Sequence, residues 1–225
     1  MDFNGIILND EPFHLELYQR ILSGYGITLS SEDYAQRYLV LDDEDCFRQI
    51  LKDHQRKISE QELESLAEQK RKWYKKEVGD RLVFFPGVVS FAQKAASRYS
   101  LAIVSGARRT EILAALGYIQ LLRYFPAIVS ADDVTQGKPN PEGLFLACAS
   151  LNERLTQKSP DVPLIESREC LVIEDAVLGI EMAHRAKMKC LAITNSYPAE
   201  LLKQADLVKQ SLQGVSLEEL EALFQ

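Results

Sequence analysis

Four short stretches of this chain carry residue types that together can move a phosphoryl group. Asp2-Phe3-Asn4-Gly5 opens the chain and sets an acid beside a glycine, which lets the backbone fold close to a bound ion or phosphate. Ser105-Gly106 offers a hydroxyl, Lys138-Pro139 an ammonium in a stiff loop, and Glu174-Asp175 two adjacent carboxylates. A carboxylate can attack phosphorus, and a hard divalent cation can sit between carboxylates and phosphoryl oxygens. A hydroxyl, backbone N–H groups and an ammonium can neutralise the group in transit. Each stretch alone has a plainer role: an Asx turn, a helix cap, a solvent-exposed lysine, an acid pair facing a helix dipole. Their joint meaning depends on the elements that would position them.

Those elements follow from the apolar pattern. Leu101–Val104, Ala127–Val129, Cys170–Ile173 and Cys190–Ile193 are short continuous apolar runs, with Leu207-Val208 a shorter fifth. They alternate with helical periodicity, which is the pattern of a parallel sheet buried on both faces with right-handed crossovers. Chemistry in such sheets gathers at the carboxyl ends of the strands, and Ser105, Asp132-Asp133 and Glu174-Asp175 each come just after a run. Pro141 begins a helix predicted to reach Leu151, with a surface loop over 152–168.

Residues 12–80 show helical periodicity and no convincing strand. Glu11-Pro12 enters a helix through Phe13, Leu17, Ile21 and Leu22. Ser30 or Ser31 caps a helix over 32–38, Asp42-Asp43-Glu44 starts a third, and Ser59 with Glu62 forms a capping box for a long helix towards Val78. Leu17, Ile21, Phe47, Ile50, Leu63, Leu66 and Trp73 should make a separate apolar interior. Lys70-Arg71-Lys72, preceded by several glutamates, reads as a solvated, salt-bridged face. The fold class is therefore α/β: a doubly wound, Rossmann-like parallel sheet core at 1–11 and 81–225, with an α-helical insert at 12–80.

A net charge of -7 gives no basic face for nucleic acid. No apolar run is long enough for a membrane span, and the start of the chain lacks the features of a signal peptide. The four cysteines, Cys46, Cys148, Cys170 and Cys190, form no CxxC pair. Cys148, Cys170 and Cys190 lie in apolar surroundings and read as small core residues, which suits a reducing cytoplasm. The expected partner is a small phosphorylated metabolite and the expected state a monomer.

In this order and context, the four stretches resemble the haloacid dehalogenase superfamily, in the branch that includes β-phosphoglucomutase and phosphoglycolate phosphatase. The resemblance spans nearly the whole chain, and the helical insert matches that branch's cap domain. It implies that Asp2 is a nucleophile forming an aspartyl-phosphate, and that Ser105, with Gly106 beside it, and Lys138 hold the phosphoryl group. It also implies that Asp2, Glu174, Asp175 and the backbone carbonyl of Asn4 bind Mg²⁺, and that the cap closes over the site.

Three departures qualify it. Position 4 is Asn where the family's phosphatases and mutases carry a second Asp that protonates the leaving group. An amide cannot exchange protons in that way, although Asp10 or His14 could supply the missing group. Val40-Leu41-Asp42-Asp43 lies where β-phosphoglucomutase grips its sugar phosphate, and Asp43 would repel one, so a phosphomutase is the weaker alternative. Only Met1 precedes Asp2 where the family has its central strand, whose loss would remove pairing from both neighbours. The leading expectation is a Mg²⁺-dependent phosphatase-type hydrolase. Its rival is a catalytically weak or non-catalytic relative that binds phosphate ligands or a partner.

Overall fold

The structure, a computed structural model, describes residues 1–39 and 41–225. It forms two compact units, Met1–Asn9 with Val83–Gln225, and Asp10–Leu82. The division thus falls after Asn9 and before Val83, two residues from the predicted limits on each side. Local bonding explains the offset. Tyr34 donates to Glu11 at 2.8 Å and Tyr74 to Asp10 at 2.6 Å, while Arg81 pairs with Glu16 at 2.5 Å, all inside the second unit.

The second unit is helical: α1 (Glu11–Ser23), α2 (Ser31–Asp33), α3 (Asp43–Asp53) and α4 (Glu60–Glu77). The predicted capping box is present, with Glu62 N–H donating to Ser59 Oγ at 3.3 Å and Ser59 N–H to Glu62 Oε2 at 2.9 Å. The stretch predicted as one helix over 32–38 is instead α2 running into a π turn, Tyr34–Tyr38. Tyr34 and Tyr38, four positions apart on one face, are both buried. Ile21, Phe47, Ile50, Leu63 and Leu66 share one apolar cluster, with Trp73 half-buried at its edge. Val40 lies outside the described residues; Asp42, just after it, caps α3 by accepting from Asp45 N–H at 2.9 Å.

Lys70 departs from the expected solvated face. Arg71 and Lys72 are exposed, but Lys70 is only 1% exposed. Its ammonium donates to Asp43 Oδ1 at 2.5 Å, meets His14 Nδ1 at 2.7 Å and lies 4.3 Å over the Tyr18 ring. An ammonium only donates, so Nδ1 of His14 accepts and Nε2–H faces Asp10 Oδ2 at 3.1 Å. Asp43 therefore presents no unmatched charge, and Asp10 is not a free carboxylate. Burial opposes the charged form of both acids. Hydrogen bonds from His14 and Tyr74 hold Asp10 below the usual carboxylate range, and Lys70 with Tyr18 does the same for Asp43.

Lys70→Met should lower stability by about 3 kcal/mol, because Asp43 loses its cation but keeps Tyr18; a urea unfolding midpoint equal to wild type would refute this. Lowered folded pKa values mean that the contribution of Asp10 and Asp43 is present above the unfolded carboxylate pKa and lost as pH falls through the folded values. The penalty of Lys70→Met should accordingly shrink in strong acid.

The first unit contains α5 (Val88–Ala96), β1 (Ala102–Val104), α6 (Arg109–Tyr118), β2 (Ala127–Val129), α7 (Glu142–Lys158), β3 (Leu171–Glu174), α8 (Val177–Arg185), β4 (Lys189–Ile193), β5 (Leu207–Lys209) and α9 (Leu217–Glu221). β1 pairs with β2, β3 with β4, and β4 with β5, all parallel. Met1 and Asp2 lie between the two groups. The Met1 ammonium donates to Ala102 O at 2.8 Å, Val104 N–H to Met1 O at 3.0 Å, and Asp2 N–H to Ile173 O at 2.9 Å. The pairing expected to be lost is thus retained over two residues, giving the order β2-β1-(Met1-Asp2)-β3-β4-β5.

α7 runs seven residues beyond its predicted end. Asn152 explains why a polar position there stays helical: its side chain donates to Ile165 O at 3.0 Å and accepts from Ile165 N–H at 2.7 Å, tying the following loop back onto the helix. No helix among the described residues is long and apolar enough to cross a membrane.

Candidate functional site

The parallel strands end at one edge, and the acids predicted from sequence meet there. β3 delivers Glu174 and Asp175, and the Met1-Asp2 pairing sets Asp2 beside them. One oxygen from each of Asp2, Glu174 and Asp175 lies within 4.8 Å of the others, and all three residues are buried. Lys138 reaches in from the loop before α7, following which the Lys138–Pro139 peptide is cis. Its ammonium donates to Asp2 Oδ2 at 2.6 Å and also to Glu174 Oε1.

The electrostatics follow from burying three acids around one cation. Burial, reinforced by Glu174 and Asp2, pushes Asp175 up to about 7. Burial also raises Glu174, with Lys138 opposing and Asp2 adding to the rise. For Lys138 burial favours the neutral form, but the charges of Asp2 and Glu174 outweigh it and raise its pKa. The Met1 amino group is pushed down to about 6 by burial, against the pull of Asp2 and Glu174.

Among the described residues, the buried oxygens Asp2 Oδ1 and Asn4 Oδ1 have no hydrogen-bond partner. Leaving such atoms unsatisfied costs on the order of 1–3 kcal/mol each. An unpartnered carboxylate oxygen among further acids of raised pKa is the donor set of a hard divalent cation, which takes oxygen ligands. The residues present therefore fit Mg²⁺. Asn4 offers an amide oxygen that can accept a hydrogen bond but not a proton.

Two glycines make room for the acids. Gly5 has φ +74, and a Cβ there would sit 1.9 Å from Asp175 Oδ2. A Cβ on Gly179, in α8, would sit 1.9 Å from Glu174 Cδ. Helix α8 can pack this closely on Glu174 only through that glycine. The backbone N–H groups of Asp175 and Ala176 donate to Glu174 Oε2 at 3.1 and 3.2 Å.

Ser105 and Gly106 follow β1 and line a cavity of about 50 Å³ together with Lys138, Gly137 and Asn140. Ser105 N–H donates to Val129 O at 3.0 Å, and its Oγ accepts from Ala107 N–H at 3.2 Å, so the hydroxyl keeps its proton to donate. Asp132 and Asp133, the other acids after a strand, serve α6 instead: Arg109 N–H donates to Asp132 at 2.9 Å, and the Arg109 guanidinium to Asp133 at 2.8 Å.

Sequence reasoning missed two contributors. Ser196 Oγ donates to Asp175 Oδ2, and Asn195 Nδ2 donates to Gly5 O at 2.6 Å. Both follow β4, so the rule that singled out Ser105 and Glu174-Asp175 applied to them as well. Gly179 carried no signal, because its need arises only where α8 meets Glu174.

Residues 1–193 match a family model described as haloacid dehalogenase-like hydrolase. Among curated proteins, the chain is 34% identical over 118 residues to validoxylamine A 7'-phosphate phosphatase of Streptomyces hygroscopicus subsp. limoneus, covering 52% of this chain and 50% of that protein. It is 26% identical over 192 residues to fructose-1-phosphate phosphatase YqaB of Escherichia coli (strain K12), covering 85% and 93%. The matches to the first three curated relatives span only 50%, 31% and 12% of their lengths. Among solved structures, the fold is similar to β-phosphoglucomutase from Clostridium difficile, with a TM-score of 0.73, 21% identity and coverage of 99% and 94%. A family IA hydrolase from Entamoeba histolytica HM-1:IMSS gives a TM-score of 0.78, 20% identity and coverage of 99% and 96%.

Proposed function

The chain belongs to the haloacid dehalogenase-like hydrolase family, and from that premise we propose that it is a Mg²⁺-dependent phosphatase that cleaves small phosphate esters through an aspartyl-phosphate on Asp2. The observation that carries this reading is the state of the Asp2 carboxylate. Lys138 fixes Oδ2 at 2.6 Å, while Oδ1 is buried and unpartnered beside Glu174 and Asp175. That oxygen is held in a water-poor site and is open to a cation and to phosphorus.

Asp2, Glu174 and Asp175, with the Asn4 carbonyl, would hold Mg²⁺, whose charge would offset that of the phosphoryl oxygens. Asp2 attacks phosphorus in line with the leaving oxygen, so the P–O ester bond breaks as the Asp2 oxygen–phosphorus bond forms. Lys138 and Ser105, beside Gly106, donate to the phosphoryl oxygens and keep the group in register. Water then releases phosphate from Asp2. Asn4 Oδ1 can orient the leaving hydroxyl or the incoming water by accepting a hydrogen bond, but it moves no proton. Leaving groups that depart without protonation, such as aryl and acyl phosphates, are therefore the preferred substrates.

The substrate is a small phosphorylated metabolite, the helical unit is a cap domain, and the protein works as a cytoplasmic monomer. A panel of aryl, acyl and sugar phosphates assayed with and without Mg²⁺ tests the reading. Mg²⁺ at a hundredfold excess over its Kd should stabilise the fold by about 2.7 kcal/mol, a Tm rise of roughly 5–10 °C. Asp175→Ala should abolish that rise, and equal responses in the two proteins would reject the metal assignment. The neutral amide at position 4 favours one second reading, a non-catalytic phosphate binder; it is upheld if phosphate binds with Mg²⁺ while every ester stays intact.

A further inference from the structure

Away from the acid cluster, Cys148 and Cys170 bring their sulfurs to 3.5 Å of each other. They are 22 positions apart in sequence and come from different elements, Cys148 from the middle of α7 and Cys170 from the residue before β3. Cys46 and Cys190 are fully buried, whereas Cys148 and Cys170 are each half-buried, so this is the pair that a solvent-borne reagent can reach. Both sulfurs sit at the rim of the apolar cluster beneath the sheet, and Cys170 Sγ also lies 3.4 Å from Glu166 O. Both pack against that cluster, as the sequence suggested, and the short separation adds a pairing that the sequence did not show.

We propose that Cys148 and Cys170 form a reversible redox site, closing to an intrachain disulfide when a hydroperoxide oxidises them. The sulfurs must approach by about 1.5 Å to reach bonding distance. With Cys170 as donor, the thiol–thiol hydrogen bond favours the thiolate of Cys148 against the effect of burial. In the first step the Cys148 thiolate attacks the distal oxygen of ROOH; the O–O bond breaks, ROH leaves with a proton from solvent, and Cys148 becomes a sulfenic acid. In the second, Cys170 sulfur attacks Cys148 sulfur, the S–OH bond breaks, and water departs carrying the Cys170 proton. Two electrons pass from the thiol pair to the peroxide. A dithiol reductant returns both thiols by exchange.

The bridge would join two elements that supply the acid cluster. α7 follows directly on the Lys138 loop, and β3 ends in Glu174. Closing the intervening loop should stabilise the core, with the oxidised protein melting roughly 6–12 °C above the reduced one.

The test treats the full chain with a slight excess of hydrogen peroxide and counts free thiols after denaturation. The expected result is a fall from four thiols to two, a peptide pair linking 148 to 170, and full recovery with dithiothreitol. Cys170→Ser should instead trap Cys148 as a sulfenic acid that reacts with dimedone. Cys148→Ser should form no bridge, with far-UV circular dichroism showing that both variants fold. Four surviving thiols, a bridge through Cys46 or Cys190, or only interchain dimers would overturn the proposal.

Discussion

Asn4→Asp should raise the turnover of alkyl phosphates, sugar phosphates among them, by about 10²–10⁴-fold, the usual worth of general acid–base catalysis. An alkoxide leaves poorly unless its oxygen is protonated as the P–O bond breaks, whereas p-nitrophenolate or acetate leaves unaided. Hydrolysis of p-nitrophenyl phosphate or acetyl phosphate should therefore change little, and rates should depend less on leaving-group basicity in the variant than in the wild type. The buried setting of Asn4 Oδ1 works in favour of the substitution. A carboxyl placed there is desolvated, which raises its pKa towards the range an acid catalyst needs. The gain should also appear in the second half-reaction, as a shorter-lived phosphoenzyme in single-turnover experiments. Unchanged alkyl-ester turnover, with a wild type that is already fast, would mean that another group carries the proton. Asp10 is a poor candidate for it, since its carboxylate is buried and bonded to Tyr74 and His14.

Lys138→Met should be the most damaging single change to both stability and turnover. The substitution leaves Asp2 and Glu174 buried, at 9% and 1% side-chain exposure, without their shared cation. Removing one partner of a buried ion pair costs about 3–5 kcal/mol, a Tm loss of roughly 6–20 °C for a chain of this size. The pH dependence has a definite sign. Burial already raises the Glu174 carboxyl, and without Lys138 to oppose it the folded-state pKa rises further above the unfolded value. The deficit is therefore small in acid, where Glu174 is protonated, and grows as pH rises through the raised value. Added Mg²⁺ should recover part of the lost stability by replacing one positive charge with another. Turnover should remain about 10²–10³-fold low even when the variant is stabilised in this way, because a donor aimed at the phosphoryl oxygens is gone. A variant that melts with the wild type at pH 8 and hydrolyses aryl phosphates at the wild-type rate would remove Lys138 from the site.

The strands and the residues at their ends were legible in the chain itself. A parallel strand covered on both faces has no polar side, so it reads as an unbroken apolar run, and the polar residues just after it mark the carboxyl edge. That local rule finds Ser105 and Glu174-Asp175. It finds Asp132-Asp133 equally well, although these acids bind Arg109 and not the cluster, because position at the edge says nothing about which way a side chain is engaged. Helix starts were legible for a similar reason: a cap is made by a residue and its neighbour three positions on, as with Ser59 and Glu62.

Other features arise only when distant segments meet. The burial of Lys70 depends on Asp43 and His14, 27 and 56 positions away, and no local pattern separates it from Arg71 and Lys72 beside it. Met1 and Asp2 are too short to register as a strand, yet β1 and β3 flank them and complete their hydrogen bonds. Gly179 is required because Glu174 fills the space its Cβ would take, and the Cys148–Cys170 pair exists because α7 packs beside the start of β3. The chain alone determined the elements and the chemical types at their ends, since periodicity and capping act over a few residues. Which charges are neutralised, which thiols face each other and which carboxylate oxygen is left without a partner were decided by tertiary packing, because those energies depend on neighbours that the linear order does not name.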